Sequence, residues 1–152
     1  MEKKITGVLI AAAGRGVRSK SRVPKQYLQF GNQTVLERNI KNFISEPLID
    51  FVQVIIDEKH IDFYKKAITK IESSKLLPKC FGGQTRSESV KNGLVAIANS
   101  GCKKVLIQDG ARPFTSSAII KKCIKGLDEF DVVFPGIKIP DTLYFKKRKR
   151  YE

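Results

Sequence analysis

The sequence has few of the residues from which metal and nucleophilic sites are built: three cysteines and one histidine in 152 residues. Cys80, Cys102 and Cys123 are widely spaced, and no Cys-x-x-Cys pair occurs. His60 has neither a second histidine nor a cysteine beside it. These absences argue against a zinc site and against a Cys–His catalytic pair, and we expect the thiols to be reduced.

Long apolar runs are also missing, since none approaches the ~18 residues that indicate a membrane span. The first residues, MEKKITGVLIAAAG, resemble a signal peptide only in outline, because Glu2 interrupts the positive charges and the apolar run leads into a glycine loop. We therefore expect a first strand here and a cytoplasmic location.

Negative charge is scarce, with 15 Asp and Glu against 29 Lys and Arg and a formal net charge of +14. Such a surplus suits a polyanion, but the basic residues are spread over nearly every segment and no nucleic-acid-binding motif accompanies them. The only continuous basic run covers residues 146–150. We therefore do not expect nucleic acid as a partner. We divide the chain into one domain, 1–145, and a basic tail, 146–152.

Strand-like apolar segments alternate with helical patterns along the chain. The expected strands are 5–12, 51–56, 79–81, 104–109 and 131–139. The expected helices begin at Val35, cover 58–71, and present the stripes Val90, Leu94, Ile97 and Ile119, Ile120, Cys123, Leu127. This alternation predicts an α/β fold: a doubly wound, mostly parallel sheet with helices on both faces. In such sheets, ligands bind beyond the carboxyl ends of the strands.

The segment AAAGRGVRSKSRVPKQY, residues 11–27, follows the first strand and combines glycines with cations. A dinucleotide-binding loop would open a helix directly, whereas a polar stretch follows here, and a P-loop needs a Gly-Lys pair that the chain lacks. Exposed backbone N–H groups together with Arg18 and Lys25 suit a nucleoside triphosphate undergoing nucleotidyl transfer. A solvated basic loop is the alternative that this segment alone leaves open.

Three later strand ends carry polar residues as well. The segment GGQTRSESVKNGL, 82–94, offers backbone groups and a hydroxyl that could read a base. Asp109 ends a buried strand, where it could bind Mg²⁺; an N-cap or an ion pair with Arg112 is the alternative reading. IPDTL, 139–143, repeats the pattern after another apolar segment.

Five segments, AAAGRGVR, PKQYL, GGQTRSESVKNGL, DGARPF and PDTL, occur in this order across residues 7–143. Together they resemble the motifs of the 4-diphosphocytidyl-2-C-methylerythritol synthase family, also called 2-C-methyl-D-erythritol 4-phosphate cytidylyltransferases. The resemblance implies a Rossmann-like, three-layer fold of the nucleotide-diphospho-sugar transferase type. It also implies a reaction in which CTP and the polyol phosphate give a CDP-alcohol and pyrophosphate, with Mg²⁺ or another divalent cation.

The same resemblance implies roles for individual residues. The positions that match the triphosphate loop are Ala12, Ala13, Gly14 and Gly16. The cations that would stabilise the transition state are Arg18 and Lys25. The cytosine-recognition segment is matched by Gly83, Gln84 and Ser89, with Arg86 beside them. The metal-associated acid is matched by Asp109, its motif neighbour by Arg112, and the acceptor-binding region by Asp141 and Thr142.

The chain departs from the family in two places. Gln108 and Gly110 stand where the family's His-Asp-Ala-Ala-Arg-Pro motif has histidine and its first alanine, and both changes look tolerable because glutamine still forms hydrogen bonds. After Thr142 the family continues through an arm that completes a homodimer, whereas LYFKKRKRYE does not resemble that arm. We expect a chain shortened at its C-terminus, with weak CTP binding, a compromised dimer and impaired or lost catalysis.

Two other functions fit the same residues. A ribitol-5-phosphate cytidylyltransferase shares the fold and several motifs, and differs in its acceptor. A non-catalytic nucleotide- or polyanion-binding module fits the basic charge, although Arg18, Lys25 and Asp109 argue against it.

Overall fold

The computed structural model describes residues 4–14, 23–140, 142, 146–147 and 150–151. The strands are β1 (Thr6–Ala12), β2 (Gln29–Phe30), β3 (Gln33–Thr34), β4 (Phe51–Ile56), β5 (Cys80–Phe81), β6 (Lys104–Asp109), β7 (Lys146–Lys147) and β8 (Arg150–Tyr151). The α-helices are α1 (Val35–Ile44), α2 (Ile61–Ile68), α3 (Arg86–Ala96) and α4 (Ser117–Gly126). Among the described helices, none has the length and apolar character that a membrane crossing requires.

The central sheet has the order β5-β4-β1-β6, and all its strands are parallel. The chain moves outward from β1 to β4 and β5 and then returns to the other side of β1 with β6, so the strand order reverses between β1 and β6. This arrangement confirms the predicted doubly wound parallel sheet. The carboxyl ends of the strands meet at one edge, and the reversal opens a crevice there.

Helices cover both faces of the sheet, as predicted. On one face α1, α2 and α4 pack on alternate residues of β1 and β4. On the other face α3 packs on Leu9 and Ile55. All six residues of β4 are buried, because a strand covered on both faces has no solvent-facing side.

The predicted stripe of α3 is wrong at Leu94, whose side chain is 42% exposed. The helix instead turns Ser89 and Gly93 towards the sheet, both of which are buried. A Cβ at position 93 would lie 2.6 Å from Ile55 Cδ1 and 3.2 Å from Leu9 Cδ1. Small residues therefore form the packing face of α3, because the helix lies too close to the sheet for large ones.

The strand predicted over 131–139 does not form. Its apolar side chains are largely in solvent; Ile137, for example, is 91% exposed. Pro135 has no backbone N–H for a ladder, and within the described residues β6 pairs only with β1. The helical pattern over 58–71 is confirmed in part, as a 3₁₀ turn, Glu58–His60, followed by α2, which ends at Ile68.

A buried lysine joins β6 to the end of α4. Lys104 Nζ donates to the Ile124 carbonyl at 2.9 Å and lies 2.8 Å from Asp128 Oδ2, while Lys4 Nζ lies 3.2 Å from Asp128 Oδ1. Hydrogen bonds from Lys104 first, and from Lys4 second, lower the pKa of Asp128. Because the pKa is lowered in the folded chain, this carboxylate stabilises the fold above its unfolded pKa and ceases to do so as the pH falls through the folded value.

We therefore expect Asp128→Asn to flatten the acid dependence of stability. The measurement is the urea unfolding midpoint at intervals from pH 7 to pH 2, with Asp62→Asn, at an exposed position of α2, as the control. The native chain and the control should lose stability more steeply below pH 5 than Asp128→Asn. Parallel curves for all three proteins would show that the Lys104–Asp128 pair does not contribute.

Candidate functional site

The glycine loop begins where β1 ends, and its described residues are 12–14. Lys25 opens a 3₁₀ turn, Lys25–Tyr27, and is exposed, whereas Pro24 and Gln26 on either side of it are buried. Gln26 Nε2 donates to the Ala12 carbonyl at 2.7 Å and to the Gly14 carbonyl at 2.9 Å. The turn that carries Lys25 is thereby attached to the end of the central strand.

Tyr27, the last residue of the same turn, packs in the core. Its ring is buried and stacks on Phe63 with the centroids 5.4 Å apart. Burial, followed by the influence of Tyr64 and Asp57, raises the pKa of Tyr27 far above its ordinary value. The buried ring thus packs the turn against α2, which carries Phe63.

The second part of the site is the turn between β5 and α3. Gly83 N donates to Ser89 Oγ at 3.0 Å, and this hydroxyl donates to the Thr85 carbonyl at 2.9 Å. Glu88 accepts from Gln84 N at 2.7 Å and from Thr85 N at 3.1 Å, and completes a capping box with Thr85. The buried Ser89 and the exposed Glu88 thus both hold the backbone of the turn, and Gln84 is exposed.

Gly82, which follows β5, and Gly110, which follows β6, let their turns lie close to the glycine loop. A Cβ on Gly82 would lie 2.5 Å from Ala13 Cβ and 2.7 Å from Ser89 Oγ. A Cβ on Gly110 would lie 2.8 Å from Ala12 Cβ. A methyl group at position 110 would therefore require its neighbours to shift, and glycine fits the backbone as it stands.

Asp109 ends β6 between two arginines. Its Oδ1 accepts from Arg86 Nη2 at 3.0 Å and Nε at 3.3 Å, and its Oδ2 lies 3.1 Å from Arg112 Nε. The ion pair with Arg112 that the sequence left open is present. Both arginine side chains are largely exposed, so the pairs contribute little stability. They leave an excess of positive charge at the strand ends, which suits an anionic ligand.

The loop after Asp109 is held by amide side chains, two of which sequence analysis missed. From α1, Asn39 Nδ2 donates to the Asp109 carbonyl at 3.0 Å and Asn42 Nδ2 to the Thr115 carbonyl at 2.7 Å. Gln108 donates to the Arg112 carbonyl at 2.6 Å and accepts from Thr115 Oγ1 at 3.1 Å. One feature of the sequence could have indicated these contacts: Asn39 is a polar residue on the apolar face of α1.

Among the described residues, no group of three or more His, Cys, Asp or Glu side chains could hold a metal by itself. Mg²⁺ bound to a nucleotide needs only one or two carboxylates, because phosphate oxygens and water complete its coordination. Asp109 Oδ1 accepts from two N–H groups of Arg86, whereas Oδ2 has a second lone pair besides the one directed at Arg112. Asp109 therefore fits as a single protein ligand for such an ion.

Most of the predicted site residues meet at this edge of the sheet. Those the structure brings to the converging turns are Ala12, Ala13, Gly14, Lys25, Gly83, Gln84, Arg86, Ser89, Asp109 and Arg112. Those outside the described residues are Gly16, Arg18 and Asp141. Thr142 is exposed, and in the described part of the chain no hydrogen bond or ion pair joins it to this edge.

Comparison with known proteins identifies a family whose members this chain resembles. The family model for IspD, 2-C-methyl-D-erythritol 4-phosphate cytidylyltransferase, matches residues 6–150. The bifunctional enzyme IspD/IspF of Wolbachia pipientis wMel is 38% identical over 137 residues, which are 89% of this chain and 34% of that protein. The 2-C-methyl-D-erythritol 4-phosphate cytidylyltransferase of Clostridium botulinum (strain Loch Maree / Type A3) is 35% identical over 144 residues, which are 95% of this chain and 62% of that protein.

Solved structures agree with the sequence matches. The 4-diphosphocytidyl-2C-methyl-D-erythritol synthase of Anaerococcus prevotii superposes with a TM-score of 0.83 at 27% identity, over 98% of this chain and 62% of that one. The bifunctional IspDF of Campylobacter jejuni superposes with a TM-score of 0.74 at 28% identity, over 93% of this chain and 36% of that one. The chain thus spans 34% of the Wolbachia relative and 62% of the Clostridium one. It belongs to the 2-C-methyl-D-erythritol 4-phosphate cytidylyltransferase family.

Proposed function

We propose that this edge of the sheet binds CTP and transfers its CMP group to 2-C-methyl-D-erythritol 4-phosphate, releasing pyrophosphate. The observation that supports the proposal best is the meeting of three turns at the crevice: the glycine loop beside Lys25, the turn 82–89, and Asp109 with its two arginines. Each turn follows a different parallel strand, and the meeting point is where such sheets bind nucleotides.

The triphosphate is assigned to the glycine loop. Backbone N–H groups at the end of β1 would hold phosphate oxygens, and the exposed ammonium of Lys25 would offset their charge. Gly16 and Arg18 lie outside the described residues and are assigned to the same task by their resemblance to the family motif.

The chemistry requires positioning and charge stabilisation rather than a nucleophile from the protein. An oxygen of the acceptor phosphate forms a bond to the α-phosphorus of CTP as the bond from that phosphorus to the bridging oxygen breaks. The electron pair of the broken bond leaves with pyrophosphate. Negative charge develops on the phosphoryl and leaving oxygens in the transition state. Cations beside these oxygens, such as Lys25, therefore lower the barrier.

Magnesium, when bound, would supply positive charge that offsets the charge of the phosphates, and Asp109 is the residue proposed to hold it. Arg86 and Arg112, which pair with Asp109, are proposed to contact phosphate oxygens. From the family motif we assign cytosine to the turn of Gly83 and Gln84, whose shape the buried hydroxyl of Ser89 maintains, and the acceptor to Asp141 and Thr142. A cytoplasmic location is proposed from the N-terminal segment, in which Glu2 interrupts the positive charges and the apolar run leads into a glycine loop.

Turnover tests the proposal. Purified protein with CTP, Mg²⁺ and 2-C-methyl-D-erythritol 4-phosphate should release pyrophosphate, at least ~10-fold faster than with UTP, because a site that hydrogen-bonds one base leaves groups unpaired with another. Ribitol 5-phosphate in place of the first acceptor distinguishes the related cytidylyltransferase, which would prefer it. Folded protein that binds CTP and releases no pyrophosphate with either acceptor would instead be a non-catalytic nucleotide-binding module.

A further inference from the structure

We propose that Gln26 is a positioning residue that fixes the glycine loop for phosphate and joins it to Lys25; the phosphate part rests on the proposed function. Its side chain is only 5% exposed. One amide group donates to two carbonyls of the same loop, Ala12 at 2.7 Å and Gly14 at 2.9 Å. Both hydrogens of the NH₂ group are used, at distances typical of good N–H···O bonds.

The bond to Ala12 orients an amide of the loop. In a planar trans peptide the carbonyl of one residue and the N–H of the next point in opposite directions. Because the Ala12 carbonyl is directed at Gln26, the Ala13 N–H is directed away from Gln26. An N–H group fixed before the ligand arrives stabilises an anion without a further ordering cost.

The same side chain attaches Lys25 to the strand end. Pro24, at φ −62°, precedes the turn, which is closed by a bond from Tyr27 N to the Pro24 carbonyl at 2.9 Å. Gln26 is the middle residue of that turn. Its two bonds therefore bring together chain segments that are 12 and 14 residues apart and hold the Lys25 backbone next to the loop.

The chain offers a matched control in Gln53, a second buried glutamine in the middle of β4. Gln53 is 3% exposed and its Nε2 donates to the Pro78 carbonyl at 2.6 Å. Methionine has a similar length to glutamine and no donor, so Gln26→Met and Gln53→Met each remove a comparable buried amide. Only Gln26 contacts the glycine loop.

The test compares the two variants in three measurements: urea unfolding, binding of inorganic tripolyphosphate and of CTP by calorimetry, and NMR order parameters of the Ala13 and Gly14 amides without ligand. We expect similar losses of stability in both. Gln26→Met should weaken binding of both ligands by at least ~10-fold and lower the order parameters of these two amides from about 0.85 to below about 0.6, whereas Gln53→Met should bind within about twofold of the native chain and keep rigid amides. In turnover, the KM for CTP should rise in Gln26→Met only.

The outcomes separate this inference from the proposed function. If both variants bind tripolyphosphate and keep the order parameters of the native chain at these amides, Gln26 does not position the loop, whatever the enzyme does. If the order parameters fall in Gln26→Met but the native chain binds neither ligand, Gln26 orders the loop and its role towards phosphate is overturned together with the assignment of the loop. Equal loss of binding in both variants would indicate general destabilisation and would overturn the inference.

Discussion

Replacing Lys25 with alanine is expected to lower the rate of pyrophosphate release from CTP by ~10²–10³-fold, the usual effect of removing one fixed group that stabilises transition-state charge. Lys25 is exposed and lies outside the apolar core, so its removal leaves no cavity. The free energy of unfolding should therefore change by less than about 0.5 kcal/mol.

The reason for so large an effect is the placement of Lys25. Its backbone is fixed by the turn Lys25–Tyr27, by the stacking of Tyr27 on Phe63, and by the bonds from Gln26 to the glycine loop. Because the backbone that carries the ammonium is fixed before reaction, less free energy is lost to reorganisation as the α-phosphorus is attacked. Arginine at this position should restore only part of the rate, because its planar fork does not reproduce a compact ammonium.

The measurement is steady-state pyrophosphate release over a range of CTP concentrations. Lys66→Ala removes an exposed lysine from α2 and serves as the control for net charge. Its kcat should match that of the native chain. Equal rates in the native chain and Lys25→Ala would remove Lys25 from the mechanism, and equal decreases in both variants would mean that overall charge matters rather than this position.

The sheet could be predicted because its long strands correspond to continuous apolar runs in the sequence. Residues 5–12 and 51–56 are continuous apolar runs, and parallel strands covered on both faces require such runs. The segment 131–139 has the same local character and still forms no strand. Strand formation needs a partner as well as propensity, and which edge is available depends on contacts that are distant in the sequence.

Sequence analysis predicted which motifs form the site but not which residues contact one another. Sequence placed Asp109 at a strand end and left open whether it binds a metal or an arginine. Arg86, 23 residues earlier, reaches the same carboxylate, a contact that spacing alone does not reveal. Gln26 lies in a motif that the sequence analysis singled out, yet its task depends on a fold that brings it back to residues 12 and 14.

The packing of α3 shows why periodicity fails at close contacts. A stripe of large residues predicts which side of a helix is buried when the helix lies at an ordinary distance from its sheet. Gly93 contacts Ile55 and Leu9 so closely that even a Cβ does not fit. The close approach also brings the N-terminal turn of α3, with Ser89, up to the glycine loop through Gly82.

Gly82→Ala is accordingly expected to destabilise the fold by ~1–3 kcal/mol and to weaken CTP binding by at least ~10-fold. The new Cβ would lie 2.5 Å from Ala13 Cβ and 2.7 Å from Ser89 Oγ. Gly82 cannot retreat without cost, because its N–H donates to the Ile56 carbonyl at 2.9 Å. Ala13 must move instead, and with it the loop assigned to the triphosphate.

Gly136→Ala is the matched control, since a Cβ there meets no atom within 4 Å. Urea unfolding and CTP titration should leave this control within about 0.5 kcal/mol and twofold of the native chain. If Gly82→Ala loses stability but binds CTP normally, the contact between Gly82 and Ala13 serves packing alone, and the triphosphate does not depend on the position of Ala13. If both properties fall together in Gly82→Ala, the approach of α3 to the sheet sets the geometry of the nucleotide site.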